Sequence, residues 1–86
     1  MTDRAEIVAT LKRILTEEMD LGLDAGSFDA TTPLLEDGLD LDSIVIVELI
    51  TSAEDRFGFE FDDTDLRESN FKSLDTLAAA VERRLG

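Results

Sequence analysis

The chain has no cysteine, no histidine and no tyrosine. Without cysteine, neither a disulfide framework nor a thiolate metal site can exist, and the redox compartment is left open by this criterion. Without histidine the usual general base near neutral pH is missing, and without cysteine the usual thiol nucleophile, so a self-contained serine-hydrolase triad is impossible. Carboxylates, hydroxyls, Lys12 and Lys72 remain, which suits a protein acted upon by enzymes better than an enzyme. Long apolar runs are also lacking. None approaches the roughly 18 residues a membrane span needs, and Met1-Thr2-Asp3-Arg4 leads straight into an amphipathic pattern with no apolar signal core. A soluble cytoplasmic protein is expected. Positive charge is scarce: 8 Lys and Arg face 21 Asp and Glu, for a net charge of −13. Such a surface repels nucleic acid and anionic membranes and favours basic protein partners.

What is present argues for a fold. A hydrophobic content of 43% falls in periodic blocks, which disordered acidic chains do not show. At 86 residues there is room for one domain, spanning 1–86, with one modest core. Ile7, Val8, Leu11, Ile14, Leu15 and Met19 recur at helical spacing and predict a first helix, with Asp3 and Glu6 as a variant capping box. The Gly and Asp residues between Asp20 and Gly26 end it. A long connection from about Asp20 to Asp42 carries Phe28, Pro33, Leu34, Leu35, Leu39 and Leu41, so parts of it should pack on the core.

Ser43 to Phe57 holds fifteen residues without Gly or Pro, opened by Asp42-Ser43 as cap candidates and closed by Gly58. Those ends decide for a helix over the strand that Ile44-Val45-Ile46-Val47 would otherwise suggest. Phe59-Glu60-Phe61 alternates and places both rings on one side of a short extended piece. Thr64 to Asn70 predicts one or two helical turns anchored by Leu66, with Phe71 as the next apolar contact. Ser73 caps a last helix through Leu85, with Leu74, Leu77, Ala78, Val81 and Leu85 as its buried stripe. The expected fold is all-α: a small four-helix bundle of three main helices and a short third one, with a long loop between the first two.

Residues about 100° apart put Ile46, Leu49, Ile50, Ala53 and Phe57 on one stripe of helix two, the core face. A second stripe gathers Ile44, Val47, Glu48, Thr51, Glu54 and Asp55, apolar at its start and acidic further along. It reads either as the edge of the core with solvated acids or as a docking surface whose carboxylate rim steers basic partners. From Asp40 to Asp65 the acids face a single basic residue, Arg56, a concentration that favours docking.

Ser43 taken alone reads first as a helix cap. An exposed hydroxyl at a helix N-terminus is also where orphan N–H groups and the helix dipole favour a phosphodiester. No base in this chain would activate it, so modification would fall to an external transferase.

The run Asp42-Ser43-Ile44, with Val47-Glu48-Leu49 and Phe57 at matching offsets, resembles the phosphopantetheine attachment region of the acyl carrier and peptidyl carrier protein family. Leu34-Leu35-Glu36-Asp37-Gly38-Leu39 resembles the loop before the attachment serine, and Phe59-Glu60-Phe61-Asp62, Asn70-Phe71 and Ser73-Leu74 through Val81 resemble the third and fourth helices. The resemblance covers nearly the whole chain. It implies that Ser43 carries a 4′-phosphopantetheine arm taken from coenzyme A, that Asp42 helps the transferase engage, and that partners contact Ile44, Val47 and Glu48. A phosphopantetheinyl transferase, an acyl- or aminoacyl-loading ligase and downstream transferases or synthases are then the partners of a monomeric carrier. Cargo would travel as a thioester. Two departures stand out: Gly38-Leu39-Asp40-Leu41-Asp42 is one residue longer than the common spacing, and Val45-Ile46 replaces an acidic and polar pair of fatty-acid-synthesis carriers. The second departure leans toward a specialised carrier serving secondary metabolism or aminoacyl transfer.

The alternative is an unmodified acidic helical module that docks basic partner proteins and uses Ser43 only as a cap. A calcium loop beginning at Asp40 fails because Ile44 stands where an oxygen ligand is needed and Val45 where the loop wants glycine. An enzyme would have to use carboxylate pairs such as Asp62 and Asp63, which read more simply as turn and cap residues.

Overall fold

A computed structural model describes residues 3–19, 21–35, 38–63 and 65–85, the side chain of Glu68 excepted. Asp20, Glu36, Asp37 and Thr64, which figure in the expected loop and short helix, lie outside the described residues. The described chain is all-helical, with three α-helices and no strand among those residues.

α1 covers Arg4–Arg13 and begins where the Asp3 carboxylate accepts from the Glu6 N–H at 2.9 Å. The helix was expected to run unchanged to Met19. Instead Ile14–Glu18 widens into a π turn, which the Met19 N–H closes onto the Ile14 carbonyl. At the junction the Thr16 hydroxyl donates to the Lys12 carbonyl at 2.9 Å, a back-bond of the kind that bends helices. Ile7, Leu11, Ile14 and Leu15 are all fully buried, so the apolar stripe continues through the change of pitch.

α2 covers Ser43–Phe57 and ends at Gly58, whose left-handed φ of 74° lets the Phe59 N–H turn back to the Glu54 carbonyl. α3 covers Leu74–Leu85 and packs mainly on α1, while α2 lies against the π turn. Just before α3, the Ser73 Oγ accepts from the Thr76 N–H and the Thr76 Oγ1 accepts from the Ser73 N–H, a reciprocal cap. Leu74, Leu77, Ala78 and Val81 are buried as the pattern predicts, but Leu85 is 40% exposed and Ala80 is buried in addition.

The short helix expected over 64–70 is present only as a 3-10 turn, Glu68–Phe71. Leu66 is not its anchor; it is 43% exposed, and Phe71 supplies the buried contact. Ser69-Asn70 offers the backbone competing local bonds, and the Asn70 amide donates to the Asp65 carbonyl at 2.7 Å in place of a regular helical ladder. Phe59 and Phe61 do share a side, their rings meeting edge-on at 4.7 Å.

The connection between the π turn and α2 is tied to the core at several points. Phe28 and Leu34 are buried, Leu35, Leu39 and Leu41 are half-buried, and Pro33 faces solvent. Full burial of a leucine contributes about 1.5 to 3 kcal/mol, so Leu34 alone is a substantial anchor. The Lys12 ammonium donates to the Phe28 carbonyl at 2.7 Å and lies 4.9 Å from the centre of its ring. The Leu34 N–H reaches the Lys72 carbonyl at 2.8 Å and the Asp75 N–H reaches the Ala30 carbonyl at 2.9 Å, which sews the connection to the start of α3.

Candidate functional site

Residues 33–35 and 39–41 are joined by backbone hydrogen bonds before α2 begins. The Leu39 N–H donates to the Pro33 carbonyl, Asp40 to Leu35 and Leu41 to Leu34, each at 2.9 Å. Gly38 passes so close to Pro33 that a Cβ there would overlap the Pro33 carbonyl oxygen. Asp40 takes a left-handed φ of 52°, a conformation that aspartate tolerates better than most side chains.

Asp42 then caps α2. Its carboxylate accepts from the Val45 N–H at 3.0 Å, and its carbonyl accepts from the Ile46 N–H. Ser43 is therefore the first helical residue and not the cap, one position on from the role a lone serine suggests. Its side chain is exposed, and among the described residues nothing engages its hydroxyl. The residue that caps the helix and the residue with the exposed hydroxyl are thus neighbours.

Along α2, Ile46, Leu49 and Ala53 are buried and Ile50 and Phe57 half-buried, as the core stripe requires. Val45 is half-buried at the rim. Ile44 and Val47 are 69% and 59% exposed, a degree that excludes the edge-of-core reading for both. Val47, Glu48 and Thr51 line a shallow depression with Glu18 and Met19, and Thr51, Glu54 and Asp55 line the next one with Phe59 and Glu60. The second stripe is thus one continuous exposed band, except that Glu54 has a structural task as well. Its carboxylate accepts from the Phe61 N–H at 2.7 Å, and its carbonyl takes the Gly58 and Phe59 N–H groups. Arg56 is ion-paired to Glu18 of the π turn, so the basic residue of this region is drawn to the side of the band.

Sequence reasoning missed a cleft beside this site. Thr31, Pro33, Leu35, Asp40, Leu41, Lys72 and Ser73 line an open cleft of about 580 Å³. Its two walls lie some thirty residues apart in the chain, and the hydrogen bonds between the connection and the start of α3 bring them together. No local periodicity carries that information. Thr31 is fixed by Asp29, whose carboxylate accepts from both the hydroxyl and the N–H of Thr31 at 2.7 and 2.9 Å. These bonds hold the Asp29 carboxyl below its ordinary 3.8.

The profile of a family described as "Phosphopantetheine attachment site" matches residues 6–84. The acyl carrier protein of Thermotoga maritima is 31% identical over 86 residues, covering 100% of both chains. That of Myxococcus xanthus is 34% identical over 82 residues, covering 95% of this chain and 94% of its own. Among solved structures, the holo acyl carrier protein of Nitrosomonas europaea superposes with a TM-score of 0.75 at 32% identity, covering 91% of this chain and 94% of that one. The Bradyrhizobium japonicum glycine:[carrier protein] ligase complexed with glycylated carrier protein includes a chain that superposes with a TM-score of 0.65 at 27% identity, covering 90% and 96%.

Proposed function

We propose, since this chain belongs to the acyl carrier protein family and so bears a covalent phosphopantetheine, that Ser43 is the residue that carries the arm. The protein is a carrier and not an enzyme. The observation that supports Ser43 is the division of labour at the head of α2, where Asp42 caps the helix and leaves the exposed Ser43 hydroxyl to react. When bound, the arm supplies a flexible reach ending in a thiol that holds cargo as a thioester. All else falls to the chain. The Ser43 oxygen bonds to the pantetheine-side phosphorus of coenzyme A as its pyrophosphate P–O bond breaks and 3′,5′-adenosine bisphosphate leaves, and the serine proton passes to a base on the transferase, since the chain has no histidine. The N–H groups and dipole of the first turn of α2 favour an anionic group at that oxygen. Asp42 adds a charge for the transferase to grip, Ile44 and Val47 give partners an apolar contact, and Glu48, Thr51, Glu54 and Asp55 form the rim.

The test is to incubate apo protein with coenzyme A and a promiscuous transferase and weigh it intact. A gain of one phosphopantetheine is expected, and none for Ser43→Ala. A gain that survives the substitution moves the arm to another residue and overturns Ser43; no gain in the parent overturns the assignment and restores the unmodified acidic docking module.

The same reading extends to a single carrier domain over 1–86, at work in the cytoplasm as a monomer in a specialised pathway and loaded by an acyl- or aminoacyl-carrier ligase. Val45 and Ile46, apolar where fatty-acid-synthesis carriers are acidic and polar, support the specialised role. The glycylated carrier among the structural neighbours makes an amino acid the first cargo to try. Offering holo protein glycine, other amino acids and fatty acids with a matching ligase, and reading the thioester by mass, selects between the classes. Loading by fatty acids alone would remove the aminoacyl branch.

A further inference from the structure

The chain has two lysines, Lys12 and Lys72, and the fold treats them differently. The Lys12 ammonium is engaged, donating to the Phe28 carbonyl at 2.7 Å and lying 4.9 Å from the centre of its ring. Lys72 is exposed, and among the described residues no carboxylate pairs with its ammonium. Backbone bonds place it near the head of α2. Its carbonyl accepts from the Leu34 N–H at 2.8 Å, the Leu34 carbonyl accepts from the Leu41 N–H at 2.9 Å, and Leu41 is two residues before Ser43. Each of these three steps separates Cα atoms by at most about 7 Å, so Lys72 and Ser43 lie within about 21 Å of each other even if the steps run in a straight line. Lys72 and Leu41 also line the same open cleft, so the ammonium and the head of α2 share one opening.

We infer, on the assignment of Ser43 given above, that Lys72 is a self-acylation site that takes the acyl group from a thioester carried on the arm of the same molecule. From the Ser43 Cα to the thioester carbon the arm spans roughly seventeen bonds, about 20 Å when extended, and a lysine side chain adds about 6 Å, so together they exceed the separation. With no cysteine and no histidine in the chain, an amine is the strongest nucleophile it brings to a thioester. The unprotonated Lys72 nitrogen attacks the thioester carbonyl carbon. A C–N bond forms, the C–S bond breaks, and the sulfur leaves and takes up the proton that the nitrogen gives up, so the products are an amide and a free thiol with no oxidant or co-reactant. Tethering sets an effective concentration in the mM range, on the order of 100-fold above that at which carriers at about 10 µM meet one another. A carrier left loaded without a partner thereby loses its cargo to its own side chain, and its surface loses a positive charge.

The experiment charges apo protein with an acetyl-bearing arm from acetyl-coenzyme A by a promiscuous transferase, removes excess reagent, verifies the product by intact mass and holds it dilute in mildly alkaline buffer. Hydroxylamine, which cleaves thioesters and spares amides, is expected to strip the acetyl group at the start and to leave it in place later. Peptide mapping is expected to find it on Lys72 about ten-fold or more over Lys12. Lys72→Arg, charged and verified in the same way, is expected to stay labile to hydroxylamine throughout, and unmodified Ser43→Ala protein mixed in as an acceptor is expected to gain no acetyl group. Acetyl lost to water with no amide formed, amide shared equally by Lys12 and Lys72, or acetylation of the Ser43→Ala acceptor as fast as of the loaded chain overturns self-acylation and leaves Ser43 standing. Failure of the parent to gain the arm, read before the incubation begins, removes Ser43 and self-acylation together.

Discussion

Substituting Asp42 by alanine and by asparagine tests whether its carboxylate does more than cap α2. Alanine removes the acceptor for the Val45 N–H and is expected to cost about 1 kcal/mol, a fall in melting temperature of roughly 4–8 °C for a domain of this size. Asparagine caps nearly as well and should melt close to the parent, yet it lacks the charge. Slower modification of Asp42→Asn at unchanged stability, read by timed mass spectra, would place the charge in transferase recognition; equal rates would confine Asp42 to capping. Gly38→Ala is the sharpest backbone test, because the new Cβ overlaps the Pro33 carbonyl oxygen. A loss above about 1 kcal/mol is expected in denaturant unfolding. Asp29 gives a pH signature. Its folded pKa lies below the ordinary 3.8, held there by Thr31, so its contribution is complete above that value and disappears as pH falls through the lowered one. The stability difference between the parent and Asp29→Asn should therefore be visible at neutral pH and vanish in strong acid.

At the scale of elements, α2 was legible to its ends because every signal agreed: Asp42 before it, Gly58 after it, and the Ile46, Leu49, Ala53 stripe between. α1 was legible in its buried residues but not in its pitch, since Ile14 and Leu15 satisfy an apolar stripe in either an α or a π turn. The stretch before Phe71 was over-read. Leu66 fits a helical pattern, but backbone bonds local to Asp62–Asp65 and the Asn70 side chain win over propagation of a helix. The position of the cap could not be fixed from Asp42-Ser43 because both residue types cap well, and only the bond from the Val45 N–H assigns the role. The second task of Glu54 was hidden for a related reason: a carboxylate on an exposed stripe looks the same whether or not an N–H seven residues on comes back to it. Glu54→Ala should cost roughly 1–3 kcal/mol, as for a charged acceptor lost, and Glu54→Gln clearly less. Urea unfolding of the pair checks this, and equal losses would show that the carboxylate does not hold the Phe59–Phe61 turn.

At the scale of the whole molecule, the exposed band of α2 and the net charge of −13 act together. Ile44→Ser and Val47→Ser remove apolar area that the fold does not bury, so stability should stay within about 0.5 kcal/mol while affinity for a loading ligase falls. Association should also slow as salt rises, because charge steering is screened beyond about 8 Å at physiological ionic strength. Titration of each variant by calorimetry and stopped-flow at two salt concentrations separates the contact from the steering.

The ion pairs of the fold sharpen that charge. Arg4 is held by Glu82, Arg13 by Glu17, Arg56 by Glu18, and Arg84 by Asp62 and Asp65, while Lys12 bonds the Phe28 carbonyl. These cations are occupied at home and offer little to a stranger. Two copies meeting in solution would therefore present like charge from almost any direction, and a crowded population of carriers should keep its members apart with no barrier other than their own field. Static light scattering at low salt is expected to show net repulsion that fades as salt is added, and attraction at low salt would contradict it. Mutual avoidance of this kind leaves the exposed band of α2 on each copy clear of its neighbours, however many carriers share the same volume.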